Sequence, residues 1–204
     1  MCELRRWARG PLLGLIGWAE ACTPAPSTGE PWVSPVETGA MWSSGETEIE
    51  ALDPSTLPTG TDPCRDPLLA EVVDIADGDT VWIAPIGPGA EELVRLIGFD
   101  TPEIDWSGAG ASECWAEEAR SYTTATLGGA IVWLTFDADC VDPYDRTLAY
   151  LHLGAEPGDF FNARMVEDGW GEVLVIPPND TFADDLYALE QDARGRGVGV
   201  WACP

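Results

Sequence analysis

Between residues 64 and 153 the chain sets short apolar runs against polar turns. Glu71-Val-Val-Asp-Ile-Ala76 and Thr80-Val-Trp-Ile-Ala84 read as strands joined by the turn Asp77-Gly78-Asp79. Val94 to Phe99 is read with period two, and Ile131–Phe136 and Leu148–Leu153 bring the strands to five. Helical spacing occupies Glu113–Leu127, then Phe160–Asp168, which Gly169 stops, then Thr181–Arg194, where Thr181 is the expected N-cap. The order β-β-β-α-β-β-α-α lacks the strand–helix alternation of a doubly wound sheet. It predicts an α+β domain: a small five-stranded Greek-key barrel of the OB type with about three helices.

The residues before this domain carry different patterns. Arg5, Arg6 and Arg9 precede the apolar stretch Pro11–Trp18, and Ala19-Glu20-Ala21 ends it as a cleavage site would. Residues 1–21 are therefore expected to be a signal peptide. Cleavage there leaves Cys22 first, the position at which bacterial lipoproteins carry their lipid. Ala19 and Glu20 make only a partial lipobox, so a membrane-anchored lipoprotein and a plainly secreted or periplasmic protein both remain open. Residues 22–63 are rich in Pro, Thr, Ser and Gly, with acidic but no basic side chains, and read as a disordered, self-repelling linker. The working domain is expected to span 64–204.

Charge complicates any functional reading. The chain has 204 residues and 36 acidic against 10 basic side chains, a formal net charge of −26. All of the basic residues are Arg. Such a field disfavours loose, charge-driven attachment to nucleic acid or anionic membranes. No apolar run reaches the roughly 18 residues that a membrane helix needs.

Setting aside Cys2 and Cys22, four cysteines remain in the domain: Cys64, Cys114, Cys140 and Cys203. In an exported domain they suggest two disulfides, for which three pairings exist. None has the spacing of a zinc site. His152, the one histidine, lies in a strand pattern and is expected to face out of the sheet rather than serve a catalytic cysteine.

Four stretches carry polar groups that a core would not favour: Asp77-Gly-Asp-Thr80, Arg95, Asp100-Thr-Pro-Glu103 and Asp142-Pro-Tyr-Asp-Arg146. Asp79 and Asp100 fall at the ends of strands that would be neighbours in the barrel. Two carboxylates and a backbone carbonyl suit a hard cation such as Ca²⁺. Glu103 stands three residues beyond Asp100, within reach of a water at such an ion. Arg95 and Arg146 offer planar forks that match phosphate oxygens. Singly, each has an ordinary explanation as a turn or a surface charge. Their joint occurrence in this order gives them meaning.

From about Cys64 to Trp201 the chain resembles the thermonuclease family, the staphylococcal-nuclease-like OB-fold nucleases. The resemblance rests on Asp77-Gly-Asp-Thr80, on Arg95 five residues before Asp100-Thr-Pro-Glu103, and on Asp142-x-Tyr-x-Arg-x-Leu-Ala-Tyr150. It continues through Asn162-x-x-Met-Val-x-x-Gly169, Pro178-Asn179 and the closing Gly-Val-Trp201. It implies Ca²⁺ bound by Asp79, Asp100 and the Thr101 carbonyl, with Arg95, Glu103 and Arg146 as catalytic residues. Tyr144 would touch a substrate phosphate. The implied activity is a monomeric nuclease hydrolysing DNA or RNA to 3′-phosphate ends. The alternative is a weakly active or inactive OB-fold module that binds nucleic acid or a protein partner.

Three positions depart from the family pattern. Pro143 stands where the family has a Lys, and Leu174 and Ile176 stand where an aromatic pair lines the nucleotide pocket; Trp82, Trp106 or Trp170 could compensate. The implied barrel would bring Cys64 near Cys140, leaving Cys114 for Cys203.

Overall fold

The structure is a computed structural model, and it describes residues 45–204. The expected signal peptide, Cys22 and the first part of the expected linker lie outside the described residues. Five strands close a barrel: β1 (Leu68–Ile75), β2 (Thr80–Pro85), β3 (Glu92–Leu96), β5 (Ile131–Thr135) and β6 (Thr147–His152). Their order around the barrel is β1-β2-β3-β6-β5. The pairings are antiparallel except β3 with β6, which runs parallel, as a Greek-key closure requires. This is the small OB-type α+β fold that the strand pattern predicts.

Period-two alternation fills the interior. Val81 and Ile83 of β2, Val94 and Leu96 of β3, Val132 and Leu134 of β5, and Ala149 and Leu151 of β6 are buried in one cluster. The register of β1 against β2 shifts between Val72 and Asp74, a bulge that leaves Val73 on the surface.

Helices cover the barrel. They are α1 (Gly45–Glu50), α2 (Ala116–Leu127), α3 (Phe161–Glu167) and α4 (Ala183–Arg196). Helix α2 buries Ala116, Ala119, Thr123 and Leu127, a single stripe. From that stripe the Thr123 hydroxyl donates to the Gly78 carbonyl at 2.7 Å, and Arg120 on the same helix donates to the Ile75 carbonyl at 3.0 Å. The turn between β1 and β2 is thereby fastened to a helix. In α3, Asn162 is fully buried, donating to the Ile97 carbonyl at 2.9 Å and accepting from the Leu151 amide at 2.8 Å. The cysteines pair as the barrel implies, Cys64 with Cys140 and Cys114 with Cys203.

Several expectations need correction. The run Val94–Phe99 is not one strand. Gly98, at φ +95°, turns the chain after Leu96, and Gly98–Asp100 forms a separate strand, β4. A Cβ at Gly98 would also collide with the Leu186 side chain of α4. Strand β4 pairs antiparallel with β7 (Glu172–Leu174) in a two-stranded ribbon. Thr181 does not cap α4, whose first helical residue is Ala183. Its hydroxyl and amide instead donate to the buried Asp137 carboxylate at 3.0 and 3.2 Å.

The expected linker extends to residue 63, yet its last part is packed on the barrel. Ile49 of α1 and Leu57 are buried, and the Trp133 indole donates to the Ile49 carbonyl at 2.9 Å. The Thr135 hydroxyl donates to the Pro58 carbonyl at 2.7 Å. Two apolar residues and these hydrogen bonds outweigh the polar composition around them.

His152 points away from the barrel interior, as expected of its strand position, but it does not meet solvent. Phe160 stacks on its ring at 5.0 Å and leaves it 1% exposed.

Candidate active site

The β1–β2 turn holds Asp79 where a tight backbone is needed. A Cβ on Gly78 would come within 2.8 Å of the Thr101 side chain, so the turn can lie against residue 101 only with glycine there. Asp79 is then received on all sides. Its Oδ1 accepts from the Thr80 hydroxyl at 2.8 Å, and its Oδ2 accepts from the Thr101 amide at 3.0 Å and the Thr101 hydroxyl at 3.1 Å.

Arg95 sits opposite Thr80 in the β2–β3 register, so it rises from the sheet beside that turn. Its guanidinium pairs with Asp79 through one nitrogen and with Asp100 through the other, and donates to the Phe99 carbonyl at 3.1 Å. The side chain is mostly buried. Burial, joined by the charge of Arg146, pulls its pKa below the usual guanidinium value, while Asp100 and Glu103 oppose that shift.

Arg146 lies at the entrance to β6, in a loop organised by Asp142. The Asp142 carboxylate accepts from the amides of Tyr144 and Arg146, both at 2.9 Å, and from the Arg146 Nε at 2.7 Å. Burial alone would raise the pKa of Asp142, but these bonds and the Arg146 charge hold it below its ordinary value.

Glu103 follows Asp100 after Pro102 and faces the same cleft. Desolvation, and then the negative charges of Asp77 and Asp100, raise its pKa above the ordinary carboxylate value, against Arg95. Asp77 is raised too, chiefly by burial.

The cleft has a volume of about 880 Å³. Asp79, Arg95, Asp100, Glu103, Tyr144 and Arg146 all line it. Thr101 does not; it is buried behind Asp79. Its carbonyl accepts no hydrogen bond among the described residues. Leu174 and Ile176 also line it, 41% and 66% exposed. The three tryptophans that could have replaced the missing aromatics lie elsewhere. Trp170 stacks on Tyr122 at 4.8 Å, Trp106 covers Arg120, and Trp82 is on the outer face of β2.

Asp142 and Asp77 line the cleft too, beyond the residues expected to act there. The four-residue spacing from Asp142 to Arg146 was the visible signal for the first. For Asp77 there was none beyond the turn itself.

Could the residues hold a divalent ion? One cation, the Arg95 guanidinium, already bridges Asp79 and Asp100, so both carboxylates present oxygens to a common point. The two carboxylates are hard oxygen donors, which fit Ca²⁺ or Mg²⁺, whereas the Thr101 carbonyl, unbonded among the described residues, belongs to a residue that does not line the cleft. Among the described residues no cluster of three or more His, Cys, Asp or Glu side chains could hold a metal. A metal here would therefore keep several waters.

Two arginine side chains and a carboxylate of raised pKa share one cleft, an arrangement suited to phosphodiester chemistry. The family model described as staphylococcal nuclease homologue matches residues 93–203. The thermonuclease of Staphylococcus intermedius is 32% identical over 127 residues, 62% of this chain and 72% of that protein. That of Staphylococcus hyicus is 28% identical over 132 residues, 65% and 75% of the two chains. The SPbeta prophage-derived endonuclease YokF of Bacillus subtilis (strain 168) is 27% identical over 139 residues, 65% and 45%. This chain belongs to the staphylococcal nuclease family, and it is a nuclease.

Proposed function

We propose that the protein is an exported, calcium-dependent nuclease that hydrolyses phosphodiesters of DNA or RNA and leaves 3′-phosphate ends. The observation that carries this reading is the convergence of Arg95, Glu103 and Arg146, from three separate segments, on one cleft beside the Asp79–Asp100 pair.

Glu103 is the general base. Its raised pKa brings it closer to neutrality, where a carboxylate still ionised takes a proton more readily. It removes a proton from water as the water oxygen bonds to phosphorus. The bond from phosphorus to the 5′ oxygen breaks, and that oxygen leaves as a hydroxyl after gaining a proton from solvent. The phosphate stays on the 3′ side. Arg146 is held by Asp142 through Nε so that its remaining nitrogens are left for phosphate oxygens, and Arg95, paired here with Asp79 and Asp100, would offer a second fork once it exchanges those partners for phosphate. Together they stabilise the charge of the five-coordinate transition state. Asp79, Asp100 and the Thr101 carbonyl would hold Ca²⁺, which when bound polarises a phosphate oxygen as a Lewis acid. Tyr144, exposed at the rim, would touch a neighbouring phosphate.

The second reading, a weakly active binding module, draws on Leu174 and Ile176. An aliphatic wall offers a base contact area but no stacking partner. Export and possible lipidation at Cys22 rest on the N-terminal sequence pattern alone.

The test is digestion of single-stranded DNA and RNA by the purified chain, with calcium or with chelator, followed by analysis of the ends. Calcium-dependent cleavage leaving 3′-phosphates is expected. Equal cleavage in chelator, or 5′-phosphate ends, would contradict the metal assignment or the product assignment respectively. Binding without cleavage at any calcium level would favour the second reading.

A further inference from the structure

Glu103 sits where the fold gives it little support. Strand β4 ends at Asp100 and α2 begins at Ala116, and the residues between are in neither strand nor helix. A general base must be held to within a fraction of an ångström of its water. Something other than regular structure has to fix it.

The loop is closed at its base by one residue. The Glu103 amide donates to Glu113 Oε2 at 3.0 Å, and the Glu113 amide donates to the Glu103 carbonyl at 3.0 Å. Both peptide groups flanking the Glu103 Cα are thus bound to Glu113, leaving only the side-chain torsions free. A second rung, from the Asp105 amide to the Ser112 hydroxyl at 3.3 Å, lies just inside. The next residue after Glu113 is Cys114, bonded to Cys203 near the end of the chain. Glu113 is therefore tied covalently to the C-terminal segment, and through two hydrogen bonds to the base.

We propose that Glu113 is a positioning residue for Glu103, acting as an acceptor that locks the base's backbone and passes the rigidity of the Cys114–Cys203 crosslink to it. This rests on the reading of Glu103 as general base. The role requires an acceptor oxygen, not a charge. Glu113→Gln keeps the oxygen; Glu113→Ala removes it.

The experiment uses the full chain in three forms: wild type, Glu113→Ala and Glu113→Gln. Steady-state cleavage of single-stranded DNA in calcium is measured beside hydrogen exchange of the Glu103 amide by NMR. In Glu113→Ala, kcat is expected to fall about tenfold with KM within about twofold of wild type. In the same variant Glu103 amide exchange should quicken about tenfold. Glu113→Gln should restore both. Unchanged amide exchange in Glu113→Ala would overturn the lock, whether or not the protein cleaves DNA. Faster exchange with unchanged kcat would overturn its role in catalysis, and so would a loss of kcat that Gln fails to rescue. A wild type that cleaves nothing would refute the nuclease mechanism, and the role in catalysis with it, while amide exchange still decides whether the lock exists.

Discussion

Arg95 pairs with the same two carboxylates, Asp79 and Asp100, that the proposed calcium site would use. With the guanidinium between Asp79 and Asp100, the charges of buried Asp79 and half-exposed Asp100 are balanced from within the protein. Under the calcium proposal a bound cation would take over that balance and leave the two-pronged Arg95 fork available for a phosphate. The chemistry-bearing residues were legible because they come as compact motifs of fixed spacing. Their supports were not. Asp142 gathers three donors of its own loop, a task its place in the motif does not reveal, and Glu113 reaches Glu103 across ten residues without periodicity. The burial of His152 was hidden as well, because it comes from Phe160 and the Thr135 hydroxyl 2.9 Å away. Burial lowers the pKa of that imidazole from 6.5 to about 4. The unfolded chain therefore binds the proton more tightly than the fold does. The contribution to stability is whole above about pH 6.5, declines as pH falls toward 4, and is lost below, a change of about 3 kcal/mol. His152→Gln should flatten that part of the pH dependence. Unfolding free energies at pH 7 and pH 4 for both proteins check this, and parallel losses would contradict it.

Elements differ in how plainly they are written. The five barrel strands run five to eight residues and stand out as apolar stretches set between polar turns. Strands β4 and β7 have three residues each, too few for any period, and exist because Gly98 turns the chain and the ribbon closes on its partner. Helix α1 is six residues, far below the length at which a helix holds itself, and its sequence is acidic. What keeps it is tertiary: buried Ile49 and Leu57, the Trp133 indole, and a 2.8 Å bond from the Gly60 amide to the Phe136 carbonyl. The apparent linker is thus partly a strap across β5. Removing residues 1–63 should cost about 3–5 kcal/mol, chiefly through loss of those two apolar side chains. Denaturant unfolding of the full chain and of the chain beginning at Cys64 measures it, and equal midpoints with equal slopes would show the strap to be dispensable.

At the scale of the whole molecule, a net charge of −26 opposes approach to a polyanion. At about 0.15 M salt the screening length is about 8 Å, so acids distant from the cleft act weakly on a phosphate already within it. The penalty falls on encounter rather than on chemistry. Cleavage at low substrate should therefore speed up as salt rises to moderate levels, the opposite of a basic nucleic-acid-binding protein. A steep monotonic fall from low salt upward would mean that local cationic contacts dominate encounter as well. Composition thus weighed against the function that the motifs indicate, and the cleft resolves the conflict by concentrating two of the few arginines where phosphate must sit.

The account stands most directly on Glu103 as the base. Turnover and oligonucleotide affinity, measured in calcium for the wild type and for Glu103→Gln, test it together. Cleavage should fall at least about a hundredfold while affinity for single-stranded DNA stays within about threefold. Cleavage retained in Glu103→Gln would contradict the mechanism, and the proton would then have to go elsewhere in the cleft.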